Sequence, residues 1–383
     1  MTSRTDGAPL TATDKFGVPP VLLRPPRAGA EPVPRSRLSE RLAAIGERGI
    51  ALVVAPAGSG KTTLLAQSYQ ALQRRGVDVA WLSLTPLANS FHRFFIQLIA
   101  AVRQVRPDFA TDVPNWLEGL PPRLYQELAL RLALEFSRAE GRRLVLVLDD
   151  FHELGLSVIH RTLAVLIEHL PPDVSLMIGS RIEPALPIAE LRAGGRLLEL
   201  GWSELQFSRQ EAEQLFQGSN LAVSGDELDA LYRDTEGWAV GLQLTRLNLQ
   251  SSRPLAAPAL SGDQAGVADY LLDVVLDRQP APAREFLLRT SVLERLSAPL
   301  CNAVAQRDDS AAMLEELDRQ NLFTFRLDEQ RIWYRYHHLF AEFLQSRLRQ
   351  LEPGRAEALC LRASRWYEAQ GAYAEALDYA LRA

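Results

Sequence analysis

Residues 50–75 read IALVVAPAGSGKTTLLAQSYQALQRR, and no other stretch restricts the fold so strongly. Ala51–Ala55 is apolar on successive residues, which marks a strand buried on both faces. A turn of small residues follows, and a helical pattern over Thr62–Arg75 follows the turn. In this order the glycines let successive backbone N–H groups turn inward around an anion. The helix starting near Lys61 places its positive N-terminal end behind them. Lys61 offers a flexible ammonium to phosphate oxygens and Thr62 offers a hydroxyl to Mg²⁺. The whole matches a phosphate loop, with Ala55 standing where the first glycine is usual. The competing reading is a glycine-rich turn with a stray lysine. Composition argues against it: of 42 basic residues only Lys15 and Lys61 are lysine, so forty are arginine. Lys15 lies in a loose lead-in. Lys61 sits where a guanidinium fork has the wrong shape.

A second element belongs with the first. Leu144–Leu148 is another buried strand, and it ends in Asp149 and Asp150. At the edge of a sheet Asp149 would hold Mg²⁺, directly or through water, and Asp150 would orient or deprotonate an attacking water. Two solvated aspartates in a turn is the alternative, weakened by the phosphate loop upstream. Val174–Gly179 is a third buried strand, followed by Ser180 and Arg181. Arg181 would reach the same edge and sense a γ-phosphate as a fixed guanidinium fork. A surface arginine is the plainer reading in so arginine-rich a chain. The strand Val79–Leu84 lies between the two motifs along the chain. It predicts that another strand separates the loop-bearing strand from the Asp-bearing one, as in P-loop ATPases with an extra central strand.

Strand-like runs, closing with Leu197–Leu200, alternate with helical patterns (Phe91–Arg103, Leu124–Ala139, Ser157–Leu170) from Ser36 to about Gly201. This reads as an α/β domain with a parallel sheet flanked by helices. Beyond Gly201 the strand signal stops. Ser208-x-x-Glu211 forms a capping box opening one helix, and Asp226–Gly237 and Ala239–Leu249 continue the helical region. Ser251–Gly262 is a linker by composition. Several helices then precede a short strand pair near Leu322–Leu327 and Arg331–Tyr336, the outline of a winged helix. The tail reads as two helices around Gly371. The expected organisation is a lead-in (1–31), a P-loop nucleotide-binding domain (32–203), a helical domain with linker (204–262), a winged helix (263–350) and a first helix pair of a helical-repeat region (351–383).

At 383 residues, 47 % apolar and 23 % charged, the chain can build real cores over two or three domains. Two cysteines exclude a disulfide scaffold and suit a reducing compartment. A net charge of −5 excludes a protein that coats polyanions throughout. The N-terminus lacks a signal peptide's apolar segment and no run is long enough to span a bilayer, so a cytoplasmic location without membrane partners is expected.

The set APAGSGKTT, LVLVLDDFHEL, IGSRIEPALPIAELRAGGRLLELGWSELQFSRQEA, TEGWAVGLQL and YRYHHLFAEFLQSRL resembles the N-terminal half of the MalT-type regulators. These are LuxR-class transcriptional activators carrying a STAND signal-transduction ATPase module. The resemblance covers roughly residues 20–383. It implies that a nucleotide-binding, a helical and a winged-helix domain clamp ADP at rest. Inducer binding to downstream helical repeats then permits exchange for ATP, slow hydrolysis and self-association. Carried over by residue, Val33, Pro34 and Arg35 would pass near the adenine. Ala57, Gly58, Ser59, Gly60, Lys61, Thr62 and Thr63 would cradle the phosphates. Asp149 and Asp150 are the Walker B carboxylates, and Arg181 is a sensor. Gly237-Trp238-Ala239 takes the place of an element that commonly reads Gly-x-Pro and packs near the base, with Ala239 replacing proline. Among Trp333, Tyr334, Tyr336 and Phe340, a histidine is more often a packing residue. The resemblance instead makes His337 a contact to the β-phosphate of ADP.

The inducer-sensing repeats and the LuxR-type DNA-binding domain of that family are expected in a longer protein, and this chain reads as a fragment that keeps the switch. Asp308, Asp309, Glu315, Glu316 and Asp318 crowd the winged helix and no basic–aromatic stripe stands out, so no direct nucleic-acid binding by this chain is expected. Two other readings compete. One is a constitutive AAA+ ATPase of the motor or loader type, usually completed by a neighbour's arginine. The other is a non-hydrolysing, nucleotide-stabilised scaffold.

Overall fold

The computed structural model describes residues 17–26, 32–45, 49–113, 117, 119–138, 142–217, 223–251 and 265–383. Lys15, most of the lead-in and nearly all of the linker lie outside them. The chain divides into two compact units. The first comprises residues 1–55 and 60–205, and the second residues 56–59 and 206–383.

The first unit is built on five parallel strands: β1 (Ile50–Val54), β2 (Asp78–Ser83), β3 (Leu144–Asp149), β4 (Val174–Ser180) and β5 (Leu197–Leu200), in the order β2-β3-β4-β1-β5. The continuous apolar runs follow from burial on both faces. Ile50, Leu52, Leu144, Leu146, Leu148, Leu176 and Ile178 pack on one side with the helices Phe91–Arg103, Tyr125–Arg138 and Ser157–Glu168. Ala51, Val53, Val145, Val147 and Met177 pack on the other with Ser36–Ala43 and Lys61–Arg74. A strand does separate the phosphate-loop strand from the Asp-bearing strand. It is β4, however, because the segment Val79–Leu84 forms the edge strand β2 on the far side of β3. Strand order is set by which crossovers bury helix faces, and position along the chain does not show it. The carboxyl ends of β1, β3 and β4 thus share one edge, where ligands bind in open α/β sheets.

Among its described residues the second unit is mainly helical, with one hairpin. Ser208 and Glu211 form the reciprocal capping box, with Ser208 N–H donating to Glu211 Oε2 at 2.8 Å and Glu211 N–H to Ser208 Oγ at 3.2 Å. A second box, Ser224 with Glu227, opens Gly225–Thr235. After Ala239–Ser251 and Ala265–Tyr270 come Ala281–Thr290, Ala298–Ala305 and Ser310–Arg319. Antiparallel β6 (Thr324–Arg326) and β7 (Tyr334–Tyr336) follow, with a bridge from Leu296 to Tyr334. His338–Leu351 leaves the hairpin and buries Leu339, Phe340 and Leu344 with Phe286, Leu300 and Phe323. Helices packed behind a small wing of this kind make a winged helix. Arg355–Ala369 and Tyr373–Leu381 close the chain as an antiparallel-type pair about Gly371, with the Tyr367 and Tyr379 rings stacked 5.5 Å apart.

Candidate functional site

In the first unit Lys61, Thr62, Asp149, Asp150 and Arg181, the residues expected at the phosphates and metal, lie at the carboxyl edge of the sheet. Gly60 takes φ +87°, a left-handed conformation at which the helix Lys61–Arg74 begins. Lys61 is 6 % exposed and its Nζ donates to the Ala55 carbonyl at 2.8 Å. Thr62 Oγ1 donates to Asp149 Oδ1 at 3.2 Å. Asp150 follows with φ +57° and turns the chain into the short helix Phe151–Glu153. Arg181 directly follows β4 and lies close enough to act electrostatically on Lys61. Thr63 is exposed.

The charges there are strained in a way that a nucleotide with its metal would relieve. Burial, then the Arg181 charge, lowers the Lys61 ammonium to about 8. Burial, then the neighbouring Asp150, raises the Asp149 carboxyl to about 7. A polyphosphate beside Lys61 would raise its pKa again and hold it cationic, and a divalent cation beside Asp149 would favour the carboxylate. The donor set fits Mg²⁺, an oxygen-seeking ion, with Thr62 and Asp149 as its protein ligands.

Val33 and Arg35 are held by Gln67, a residue outside every motif of the sequence. The Gln67 amide takes both partners of this segment: Nε2 donates to Val33 O and Oε1 accepts from Arg35 N–H, each at 2.8 Å. Arg35 is buried and its guanidinium caps the carbonyls of Leu205 at 3.0 Å and Glu204 at 3.4 Å. The helical spacing of Gln67 behind the loop was its only signal.

In the second unit Ala57, Gly58 and Ser59 meet the turn that contains Gly237 and Ala239. Trp238 Nε1 donates to Ala57 O at 3.2 Å, and Val240 N–H donates to Gly58 O at 3.1 Å. Gly58 has φ +71°, and a Cβ there would stand 2.9 Å from Trp238 Nε1. Ser59 is 1 % exposed. Trp238 is fully buried against Tyr270, Phe323 and His337. Within Gly237-Trp238-Ala239 it is the Trp238 side chain that reaches the loop, through Ala57 O.

His337 is fully buried. Its Nε2–H donates to Thr235 O at 3.2 Å, and burial lowers its pKa to about 4. The ring is therefore neutral, with its donor directed at Thr235. A phosphate contact from His337 requires that bond to break or a second proton on the ring. Next to it, Glu236 accepts from Arg335 Nη1 and Nη2 at 2.9 and 2.8 Å and is paired with His338 Nδ1 at 3.0 Å. Burial opposes ionisation of Glu236, yet His338 and Arg335 hold its carboxyl well below the usual range. Among the described residues Glu236, His337 and His338 have metal-ligand proximity. A cation there would have to displace the Arg335 guanidinium from both carboxylate oxygens, so the set reads as an ion-pair knot.

Residues 35–178 match an AAA ATPase domain and residues 272–356 match the MalT winged helix domain. The HTH-type transcriptional regulator MalT of Klebsiella pneumoniae is 35 % identical over 96 % of this chain. The chain is thus similar to the MalT-type regulators over nearly all of its length, with an AAA ATPase domain and a MalT winged helix domain matched within it. The serine/threonine-protein kinase PknK of Mycobacterium tuberculosis is 34 % identical over 92 % of the chain. The chain spans 40 % of that MalT and 32 % of PknK. A signal transduction ATPase with numerous domains and a tetratricopeptide repeat sensor, from Pyrococcus horikoshii, is 17 % identical with a TM-score of 0.45, over 93 % of this chain and 48 % of its own. No described helix is long and apolar enough to cross a membrane.

Proposed function

We propose that this MalT-like module is a nucleotide-operated signalling switch, holding ADP at rest and hydrolysing ATP slowly. The observation that carries it is the pairing of Thr62 with Asp149 beside the buried Lys61. Lys61 and the backbone N–H groups of residues 57–62 bind the phosphates, and Thr62 with Asp149 holds Mg²⁺. The metal, when bound, draws charge from the transferring phosphoryl group. Asp150 orients the attacking water and Arg181 reads the γ-phosphate, with Val33, Pro34 and Arg35 beside the base. Slow turnover suits a switch whose acid–base group is a solvent-facing aspartate.

The same module, at 34–35 % identity, sits in relatives named as a transcriptional regulator and as a protein kinase. A switch that serves different outputs accounts for that better than a dedicated motor. In the MalT-like case the output is transcription through a DNA-binding domain elsewhere in a longer cytoplasmic protein, and the ATP form self-associates.

The test is the identity of the nucleotide that co-purifies, followed by single-turnover hydrolysis of ATP with and without Mg²⁺. Retained ADP with hydrolysis over minutes or longer supports the switch. Fast steady-state turnover without an inducer returns the motor reading, and bound nucleotide without any hydrolysis returns the scaffold.

A further inference from the structure

The turn Thr235–Val240 makes more contacts than ending a helix requires. Two successive residues, Glu236 at φ +47° and Gly237 at φ +71°, are left-handed. A left-handed glutamate is a local cost that persists only where its surroundings over-determine it. Here they do. Gln206 Nε2 donates to Glu236 O at 2.8 Å, and Phe207 N–H donates to Gly237 O at 2.8 Å. The Glu236 carboxylate is gripped by Arg335 of β7 and by His338, the first residue of the following helix. The carbonyl of Thr235 takes both Trp238 N–H, at 2.8 Å, and His337 Nε2–H.

The output of this turn is directed at the phosphate loop. A phosphate loop works by facing its N–H groups toward the ligand, so its carbonyls must be held facing away. Trp238 Nε1–H holds the Ala57 carbonyl and Val240 N–H holds that of Gly58. The fit is close on every side. A Cβ on Gly58 would meet Val240 Cγ2 at 2.8 Å and the Tyr270 hydroxyl at 2.9 Å, and one on Gly241 would meet the Trp238 ring at 2.8 Å. Residues 56–59, Trp238 and the hairpin all belong to the same unit.

We propose that Trp238 is a positioning residue for nucleotide binding, and that the Glu236 ion pairs to Arg335 and His338 latch the turn that carries it. While the latch is closed the loop carbonyls stay pinned and ADP leaves slowly. Rupture of the Glu236 pairs frees the turn, then Trp238, then the loop, and nucleotide exchanges. This rests on the reading that the loop binds nucleotide.

The test follows dissociation of a fluorescent ADP analogue from the 383-residue chain across a range of KCl concentrations. It compares wild type, Glu236→Gln, Arg335→Gln, the double variant and Trp238→Phe. Glu236→Gln is expected to release ADP about tenfold faster, the change produced by about 1.4 kcal/mol. Arg335→Gln, at a half-exposed position, should do the same, and the double variant should add little, because both break one contact. Wild-type release should quicken with salt as the pairs are screened, and Glu236→Gln should lose that slope. Trp238→Phe keeps a ring and removes the N–H, so it should speed release while keeping the salt slope. Chemical denaturation reports folding separately. Variants that lose stability yet release ADP at the wild-type rate overturn the latch, as does additivity of the two single changes. Binding of ADP with unchanged release in all variants overturns it too and leaves the nucleotide reading standing. No ADP bound by the wild type overturns both.

Discussion

Gly179 and Asp149 are fitted to each other. A Cβ on Gly179 would stand 2.9 Å from Asp149 Oδ1 and 2.7 Å from Leu65 Cδ1. That same Oδ1 accepts the Thr62 hydroxyl. The penultimate residue of β4 must therefore lack a side chain so that the carboxylate of the adjacent strand can reach the loop. Gly179→Ala is expected to cost about 1–3 kcal/mol through overpacking. It should also weaken nucleotide binding in the presence of Mg²⁺ more than in its absence. Urea denaturation and nucleotide titrations with and without the metal measure the two effects. Equal losses in both titrations would remove Gly179 from the proposed metal site.

Lys61→Arg tests the shape of the slot around the loop lysine. Nζ sits 2.8 Å from the Ala55 carbonyl in a nearly sealed position. A planar guanidinium keeps the charge but cannot thread the same gap. Nucleotide affinity is expected to fall about a hundredfold, equivalent to about 2.7 kcal/mol, with the melting temperature little changed. Isothermal titration with ATP and ADP measures it, and wild-type affinity in the arginine variant would sink the slot argument.

What could be read from the residues, and what could not, follows from the range of the interactions. The phosphate loop, the Asp149–Asp150 strand end and the capping box at Ser208 are local: a dozen residues contain the strand, turn or helix that gives each its chemistry. The order of strands is not local, so Val79–Leu84 gave no sign that β4 would be the separating strand. The roles of Gln67 and of the Trp238 side chain are not legible for the same reason. Each works through partners that fold brings to it, Val33 and Arg35 for one and Ala57 for the other. Resemblance assigns His337 a phosphate contact, but its burial and its bond to Thr235 depend on the whole winged helix.

Gly237→Ala addresses the backbone of the turn without touching its charges. At φ +71° alanine is already strained, and its Cβ would fall 2.6 Å from the Phe207 carbonyl, a backbone atom that cannot swing aside. A loss of about 1–3 kcal/mol from the strained φ is expected, with a further cost from the clash. Denaturant unfolding followed by circular dichroism measures it. A change within about 0.5 kcal/mol, ordinary for a surface position, would show that the turn relaxes freely.

His337 makes the stability of the protein sensitive to acid. Unfolded, the ring takes its proton near the usual 6.5. Folded, burial first, against the opposing pull of Glu236, lowers it to about 4. Between those two values the unfolded chain binds a proton that the folded chain refuses, so stability falls as pH drops from 6.5 toward 4. Above 6.5 the ring is neutral in both states and contributes no pH dependence. Below about 4 both states are protonated and the penalty is complete. At about 1.4 kcal/mol per pH unit the total is on the order of 3 kcal/mol. Carboxylates titrate in the same range, so the wild type alone is not diagnostic. His337→Gln removes the titration and retains an N–H donor for Thr235. The difference in unfolding free energy between wild type and variant should slope across pH 4–6.5 and be flat from 7 to 8. A flat difference throughout would mean that the buried ring keeps its ordinary pKa and takes its proton as readily folded as unfolded.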